Sequence, residues 1–184
     1  LRISGAGMSI IDTQIDTDSF VVQIDFFETF GVKSCDLFTD RMQKLGDDLG
    51  KIGNTLARYD AKKLSQGDYY NQLKKKYFLL EIRAYTLRKD MQDKCGQGNS
   101  NVFLFFYDTE NNQESLNQGY VLDTIVKENS NAVVFSFDRG FNETALKSLV
   151  DYYNVSVAPT IVLNFKQKFE GYVSKEVVYQ HLRK

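Results

Sequence analysis

The sequence contains few of the residues on which most catalytic sites depend. Its 184 residues include two cysteines, one histidine, one proline and no tryptophan. The cysteines, Cys35 and Cys95, are too few and too far apart for a zinc site, and His181 has no second histidine for a catalytic pair or triad. We therefore expect no metal, no other cofactor and no histidine-based catalysis.

The sequence also lacks an excess of charge and a long apolar run. It has 23 basic and 24 acidic residues, so a net charge of -1 gives no general argument for binding nucleic acid or a lipid surface. The most apolar stretch, SFVVQIDFFETF, is interrupted by polar residues well short of the roughly 18 apolar residues that a membrane helix needs. The first residue is Leu1 rather than Met, so the sequence is compatible with a signal peptide or a membrane anchor upstream.

Composition divides the chain into three blocks. Residues 1–33 form a mixed N-terminal segment in which Phe20, Phe26, Phe27 and Phe30 predict a short helix, capped by Asp18 or Ser19. Residues 34–96 predict a helical hairpin, and residues 100–184 predict a domain of alternating strands and helices.

Residues 34–96 carry the clearest periodic signal. Apolar residues recur at alternating spacings of four and three, typical of two helices packed lengthwise: Phe38, Met42, Leu45, Leu49, Ile52, Leu56 and Tyr59, then Tyr70, Leu73, Tyr77, Leu80, Ala84, Leu87 and Met91. Between these runs, Gly67 suits a turn and Asp68 is a candidate cap of the second helix. The run of Lys74, Lys75 and Lys76 predicts a solvated helix face rather than a nucleic-acid patch.

In the sequence, one cysteine lies at the start of the predicted hairpin and the other lies at its end. Cys35 begins the first helix, and Cys95 ends the second, immediately before Gly96, which is a plausible helix stop. Antiparallel helices of equal length bring both cysteines to the open end of the hairpin, which favours a disulfide over two separate buried thiols. Such a bond would indicate a protein outside the reducing cytosol.

The third block has the element order β-α-β-α-β-β-α. NVFLFFYD and NAVVFSFD predict buried strands, and PTIVLNF and KFEGYVS predict a strand pair. Asn142 and Ser174 are candidate caps of the second and third helices. The first helix of this block, which precedes those two, places five apolar residues near one face: Leu116, Tyr120, Val121, Ile125 and Val126.

This order, with a proline before the third strand, resembles the thioredoxin fold over residues 100–184. The tripeptide Ala158, Pro159, Thr160 stands where that family carries its cis-proline loop, so the resemblance implies a cis bond at Pro159. It also implies a Cys-X-X-Cys pair after the first strand, where a helix N-terminus makes one thiol nucleophilic.

The sequence departs from the family at that pair. Depending on a one-residue choice of register, the two positions hold Asn111 and Glu114, or Asn112 and Ser115. Neither choice supplies a thiol, which excludes the family's dithiol exchange at this place. The whole chain also looks like membrane-anchored extracytoplasmic archaeal proteins with a helical region before a thioredoxin-like domain; their CPDCEEQGYVL aligns with NQESLNQGYVL and favours Asn112 and Ser115.

These observations favour a redox-inactive, non-enzymatic domain that binds a protein or peptide outside the cytoplasm. The expected site is the cleft beside Pro159, where the neighbouring backbone would offer a free donor and acceptor to an extended segment. Two alternatives stay open: an atypical thiol oxidoreductase using Cys35 and Cys95, and an architectural or oligomerisation module. The 11 tyrosines and 14 phenylalanines either fill the cores or line a partner groove.

Overall fold

The structure is a computed structural model. It describes residues 35–62, 64, 67–96, 99–110 and 112–183, and in the N-terminal part residues 15, 16, 18, 19, 21–23, 25, 26, 29 and 30. From residue 35 onward the described helices and strands are α1 (Cys35–Ala61), α2 (Asp68–Cys95), β1 (Asn101–Tyr107), α3 (Gln113–Glu128), β2 (Ala132–Asp138), α4 (Thr144–Tyr152), β3 (Thr160–Leu163), β4 (Gln167–Glu170) and α5 (Lys175–Tyr179).

The two long helices, α1 and α2, pack against each other in opposite directions. At one end the Tyr70 hydroxyl donates to the Asp60 carboxylate over 2.9 Å, and at the other end a disulfide joins Cys35 to Cys95. The predicted cysteine pairing is therefore confirmed. Gly96 ends α2 in the left-handed conformation (φ 61°), which costs glycine little because it has no side chain.

Helix α2 is buried on two sides, which corrects the prediction of a solvated lysine face. Lys76 is only 9% exposed and burial lowers its pKa, while the Lys74 ammonium lies 3.1 Å from the Asp138 carboxylate. Lys75 alone is exposed. The lysine run therefore lies at an interface rather than on a free helix surface.

The four strands form one sheet in the order β2-β1-β3-β4. Strand β1 pairs with β2 in parallel, with Asn101 opposite Ala132, and with β3 in antiparallel, with Phe103 opposite Leu163. Strands β3 and β4 are also antiparallel. The result is a mixed α/β fold that is consistent with a thioredoxin-like fold.

Helices cover both faces of the sheet. On one face, α2 and α4 contribute to a core with Leu104, Phe106 and Phe137, and on the other α3 and α5 pack with Phe103 and Ile161. Strand β1 is buried on both faces because its side chains alternate between the two cores. Many of the aromatic residues therefore fill the two cores.

The predicted cap residue is confirmed at one helix start and is wrong at two others. The Ser174 hydroxyl caps α5 by accepting from the Val177 amide, as predicted. The cap of α4 is Glu143, not Asn142, because the Glu143 carboxylate accepts from the Leu146 amide over 2.8 Å. Gly67, not Asp68, precedes α2, and no side chain caps that helix.

The N-terminal helix begins earlier than predicted. Asp18 and Ser19 are themselves helical, as are the described residues on both sides of them, so neither residue caps a helix start. Phe20 and Phe27 lie outside the described residues. The Asp16 carboxylate lies 3.0 Å from the Lys44 ammonium of α1. None of the helices in the described part of the chain is both long and apolar enough to cross a bilayer.

Candidate functional site

Asn112 stands at a predicted cysteine position in one of the two registers. It caps the start of α3 and also contacts the proline loop. Its side-chain Oδ1 accepts from the Ser115 amide over 2.8 Å, and its Nδ2 donates to the Ala158 carbonyl over 2.9 Å. Asparagine is a preferred cap because its short side chain reaches an amide of the first helical turn. Both ends of the Asn112 amide are thus used.

Ser115 is buried, with 4% of its surface exposed, and its hydroxyl accepts from the Asp108 amide over 3.2 Å. We call Asp108, Asn112, Ser115 and Ala158 the loop clasp, because their hydrogen bonds join the end of β1, the start of α3 and the loop before β3. Glu114 is exposed on the outer side of the first turn, and Asn111 lies outside the described residues.

The loop clasp contains no group that could act as a nucleophile with a base. It has no thiol, and a serine hydroxyl needs a neighbouring base to attack a substrate. The one histidine, His181, is exposed near the C-terminus, where its Nδ1 lies 2.9 Å from the Val177 carbonyl and its ring packs against Phe169. The loop clasp therefore holds neither a thiol nor a histidine.

The loop before β3 has its carbonyls occupied. The Ala158–Pro159 peptide bond is cis, the geometry that the resemblance implied. The Pro159 carbonyl accepts from the Gly171 amide over 2.8 Å, and the Thr160 hydroxyl donates to the Val157 carbonyl over 2.8 Å. Since Asn112 takes the Ala158 carbonyl, the expectation of a free acceptor beside the proline is wrong.

Arg139 lies directly after β2 and joins the end of β1 to the loop before β3. The sequence alone did not identify this residue. Its guanidinium donates to both oxygens of Asp108, over 3.1 and 2.9 Å, and also to the Ser156 carbonyl. The two-pronged geometry suits arginine because its N–H groups form a rigid fork. Asp108 and Arg139 each follow a buried strand, and the ends of parallel strands meet at one edge, which is the signal that could have found this pair.

Beside the loop clasp lies an open groove of about 730 Å³, which we call the α3 groove. It is lined by Leu116, Gly119 and Tyr120 of α3, with Asp108 and Asp123 at its polar positions. Leu116 is 52% exposed and Tyr120 is 62% exposed. Large apolar groups exposed together on a surface are typical of sites that bind a partner.

This groove corrects the predicted orientation of α3. The face that packs on the sheet is made of Ser115, Gln118, Leu122 and Ile125, whereas Leu116, Tyr120 and Val126 are exposed. Gln118 is fully buried and accepts from the Val173 amide over 2.8 Å. The buried positions 115 and 118 are polar. The apolar residues of α3 alone therefore predict a buried face that is rotated by about one position from the observed one.

The described residues contain no cluster of three or more histidine, cysteine, aspartate or glutamate side chains that could hold a metal ion.

Comparison with known proteins gives partial structural similarity only. No family model and no curated protein matches the chain. The chain is similar to the germline-specific thioredoxin Deadhead of Drosophila melanogaster, at 19% identity over 54% of this chain and 90% of that one, with a TM-score of 0.41. It is also similar to a malarial protein, at 21% identity over 45% of this chain and 98% of that one, with a TM-score of 0.38. Similarity at this level says nothing about function.

Proposed function

We propose that the chain is a redox-inactive, thioredoxin-like module that binds a protein or peptide segment outside the cytoplasm. The loop clasp is the observation that supports this most directly. Asn112 and Ser115 join, through hydrogen bonds, the loops at which the resembled family carries its reactive cysteine pair. Thiol–disulfide exchange needs a thiolate, so this cleft has a defined shape without exchange chemistry.

The α3 groove is the surface that best fits a protein segment. Leu116 and Tyr120 provide exposed apolar area next to the polar groups of Asp108, Asn112 and Asp123. An apolar centre with a polar rim is the usual composition of a protein-binding surface. A segment seated here would bury Leu116 and Tyr120 and would lie beside the loop clasp without displacing its hydrogen bonds.

The disulfide supports a location outside the cytoplasm. Bonds such as Cys35–Cys95 persist in oxidising compartments and are rare in a reducing cytosol. Rapid alkylation of free thiols in lysed source cells should leave both cysteines unmodified until a reductant is added. Modification of both cysteines without reductant would contradict the proposed location.

Binding and redox activity are tested on the same purified chain. Peptides selected from a random display library should bind the wild-type chain. Leu116→Asp should weaken that binding by about tenfold or more, because a carboxylate would replace an apolar side chain that the bound peptide buries. Val126→Asp is the matched control, since Val126 is exposed on α3 but lies outside the groove. Reduction of insulin disulfides should not exceed the rate given by dithiothreitol alone.

Two outcomes would overturn the proposal. Insulin reduction above the dithiothreitol rate would show that the chain exchanges disulfides. Equal weakening by Leu116→Asp and Val126→Asp would show that the selected peptides do not recognise the α3 groove.

A thiol oxidoreductase that uses Cys35 and Cys95 is the second candidate. Cys35 is the first residue of α1, and the positive end of a helix dipole favours a thiolate. Equilibration with glutathione buffers distinguishes the candidates: a reduction potential below about -300 mV is typical of a structural disulfide, and a potential near -200 mV would support exchange. Sedimentation of the full chain tests the third candidate, an oligomerisation module.

A further inference from the structure

Two asparagines of the chain stand in the three-residue pattern that marks acceptors of N-linked sugar. Asn142 is followed at the second position by Thr144, and Asn154 is followed by Ser156. The residue between is not proline in either case, as the pattern requires. No other asparagine of the sequence has serine or threonine two positions later. Because so short a pattern also arises by chance, the place of the two asparagines in the fold decides its meaning.

Both patterns lie on the surface of the folded chain. Asn142 and Thr144 are exposed, and so are Asn154 and Ser156. A sugar chain is bulky and hydrophilic, so a folded protein carries it on an exposed side chain and not in its core. Both sites meet this condition.

The atom that would carry the sugar is the side-chain nitrogen Nδ2 of asparagine. At Asn142 and Asn154 this atom donates to no residue in the described part of the chain. The Asn142 Oδ1 accepts from the Lys147 ammonium over 2.8 Å, a bond that does not involve the nitrogen. At five other asparagines the Nδ2 donates to a protein oxygen, and a sugar would break that bond: Asn101, Asn112, Asn129, Asn131 and Asn164. Hydrogen bonding therefore separates the two sites from these five asparagines.

The two sites lie at opposite ends of one helix. Asn142 is two residues before α4, and Asn154 is two residues after it. Helix α4 packs on the opposite face of the sheet from α3, and neither asparagine lines the α3 groove. Sugars at both ends of α4 would keep that face in solvent and would leave the α3 groove open to a protein segment.

We propose that Asn142 and Asn154 are N-glycosylation sites. The donor is an oligosaccharide linked to a polyisoprenyl phosphate or diphosphate, and a membrane-bound transferase catalyses the step. The asparagine Nδ2 forms a bond to the anomeric carbon of the first sugar and loses one proton. The bond from that carbon to the phosphate oxygen breaks, and the lipid phosphate leaves with its electron pair. This inference rests on the proposed location outside the cytoplasm and not on binding at the α3 groove.

The test uses the full chain isolated from its source cells. After reduction of the disulfide, trypsin places the two sites on separate peptides, residues 140–147 and residues 148–166. Residues 95–127 form a control peptide that contains Asn117. Asn117 is exposed and its Oδ1 accepts from Gln113, but Gly119 stands where the pattern needs a hydroxyl. Mass spectrometry should find sugar on the two site peptides and none on the control peptide.

Variants that remove only the hydroxyl test the pattern with little effect on the backbone. Asn154 has a φ of 48°, a left-handed conformation that asparagine tolerates better than most residues, so Asn154 itself is kept. Thr144→Val should remove the sugar from the first site peptide only. Ser156→Ala should remove it from the second only, and it keeps the Ser156 carbonyl that accepts from Arg139. Thr144→Ser and Ser156→Thr retain a hydroxyl and should retain the sugar.

Unmodified masses for both site peptides of the wild-type chain would overturn the proposal. Sugar on one site peptide would support that site and overturn the other. Sugar that persists in Thr144→Val and Ser156→Ala, or that also occurs on the control peptide, would show attachment independent of the pattern and would overturn both sites. Unmodified asparagines in a chain whose cysteines resist alkylation overturn this inference alone, whereas alkylation of both cysteines without reductant overturns the proposed location as well.

Discussion

Asn112 is the residue on which the geometry of the cleft depends most. We expect Asn112→Ala to lower the free energy of unfolding by about 1–2 kcal/mol, because it removes the cap of α3 and the bond to the Ala158 carbonyl. Asn112→Asp should lose less, since aspartate caps a helix as well as asparagine does but cannot donate to the carbonyl. Urea unfolding measures both variants, and equal losses would show that the cap contributes nothing.

Glu81 makes stability depend on pH in an unusual direction. Its pKa is raised from 4.5 to about 8 in the folded chain, so the folded state binds more protons than the unfolded state across that window. The contribution of Glu81 to stability is therefore greatest below about pH 4.5 and decreases as pH rises toward 8.

Glu81→Gln should abolish this dependence and raise the melting temperature at pH 8 relative to wild type, while changing it little at pH 5. Thermal melts between pH 5 and 9, in phosphate and borate rather than amine buffers, provide the measurement. Glu114→Gln is the matched control, because Glu114 is exposed. Parallel pH profiles for wild type and Glu81→Gln would contradict the prediction.

At the scale of elements, the hydrogen bonds of the Arg139 guanidinium join the ends of β1 and β2 to the loop before β3. Arg139→Ala should weaken the protection of the Val155 and Gly171 amides, which donate to the Val150 and Pro159 carbonyls, from hydrogen exchange by about tenfold. The reason is that it removes the bonds to Asp108 and to the Ser156 carbonyl. Arg139→Lys should recover part of that protection, since one ammonium cannot form the same fork.

Exchange measured by NMR separates local opening from global unfolding. Lys175→Ala, which removes an ion pair with Glu128 on another part of the surface, is the control and should leave the loop unchanged. Equal exchange in Arg139→Ala and wild type would show that the fork does not hold the loop.

The sequence predicted the long helices better than their surroundings. Leu45, Leu56 and Leu73 belong to the predicted apolar repeat and are buried in α1 and α2. The second buried face of α2 was not predicted, because Glu81 and Lys76 are charged and gave no apolar period. Charged residues at an interface are balanced by partners distant in sequence, which local patterns do not show.

For the whole molecule, the disulfide is the feature with the largest expected effect. The bond closes a loop across a sequence separation of 60 residues, so Cys35→Ser/Cys95→Ser should lower the free energy of unfolding by up to about 4 kcal/mol. Urea unfolding of wild type with and without a phosphine reductant gives the same comparison without a substitution. The double variant should not respond to the reductant, and equal stability of wild type in both conditions would contradict the prediction.

The sequence predicted the cis bond at Pro159, but it did not predict the hydrogen bonds of the candidate site. Resemblance left two registers for the start of α3, Asn111 with Glu114 or Asn112 with Ser115, and placed the Pro159 loop opposite. The bond from Asn112 to Ala158 spans 46 residues, and Arg139 reaches Asp108 across 31. Only the packing of β1, β2 and the proline loop brings these partners together, so their contacts follow from the folded chain and not from local sequence.

The Cys35–Cys95 bond also makes residues 35–95 a covalent ring. A protease that cut the chain between α1 and α2, where Lys62 and Leu64 are exposed, would open the ring without separating the two pieces. The nicked chain would migrate as one molecule until it was reduced and as two fragments afterwards. Cleavage there would therefore leave the first helix attached to the sheet domain.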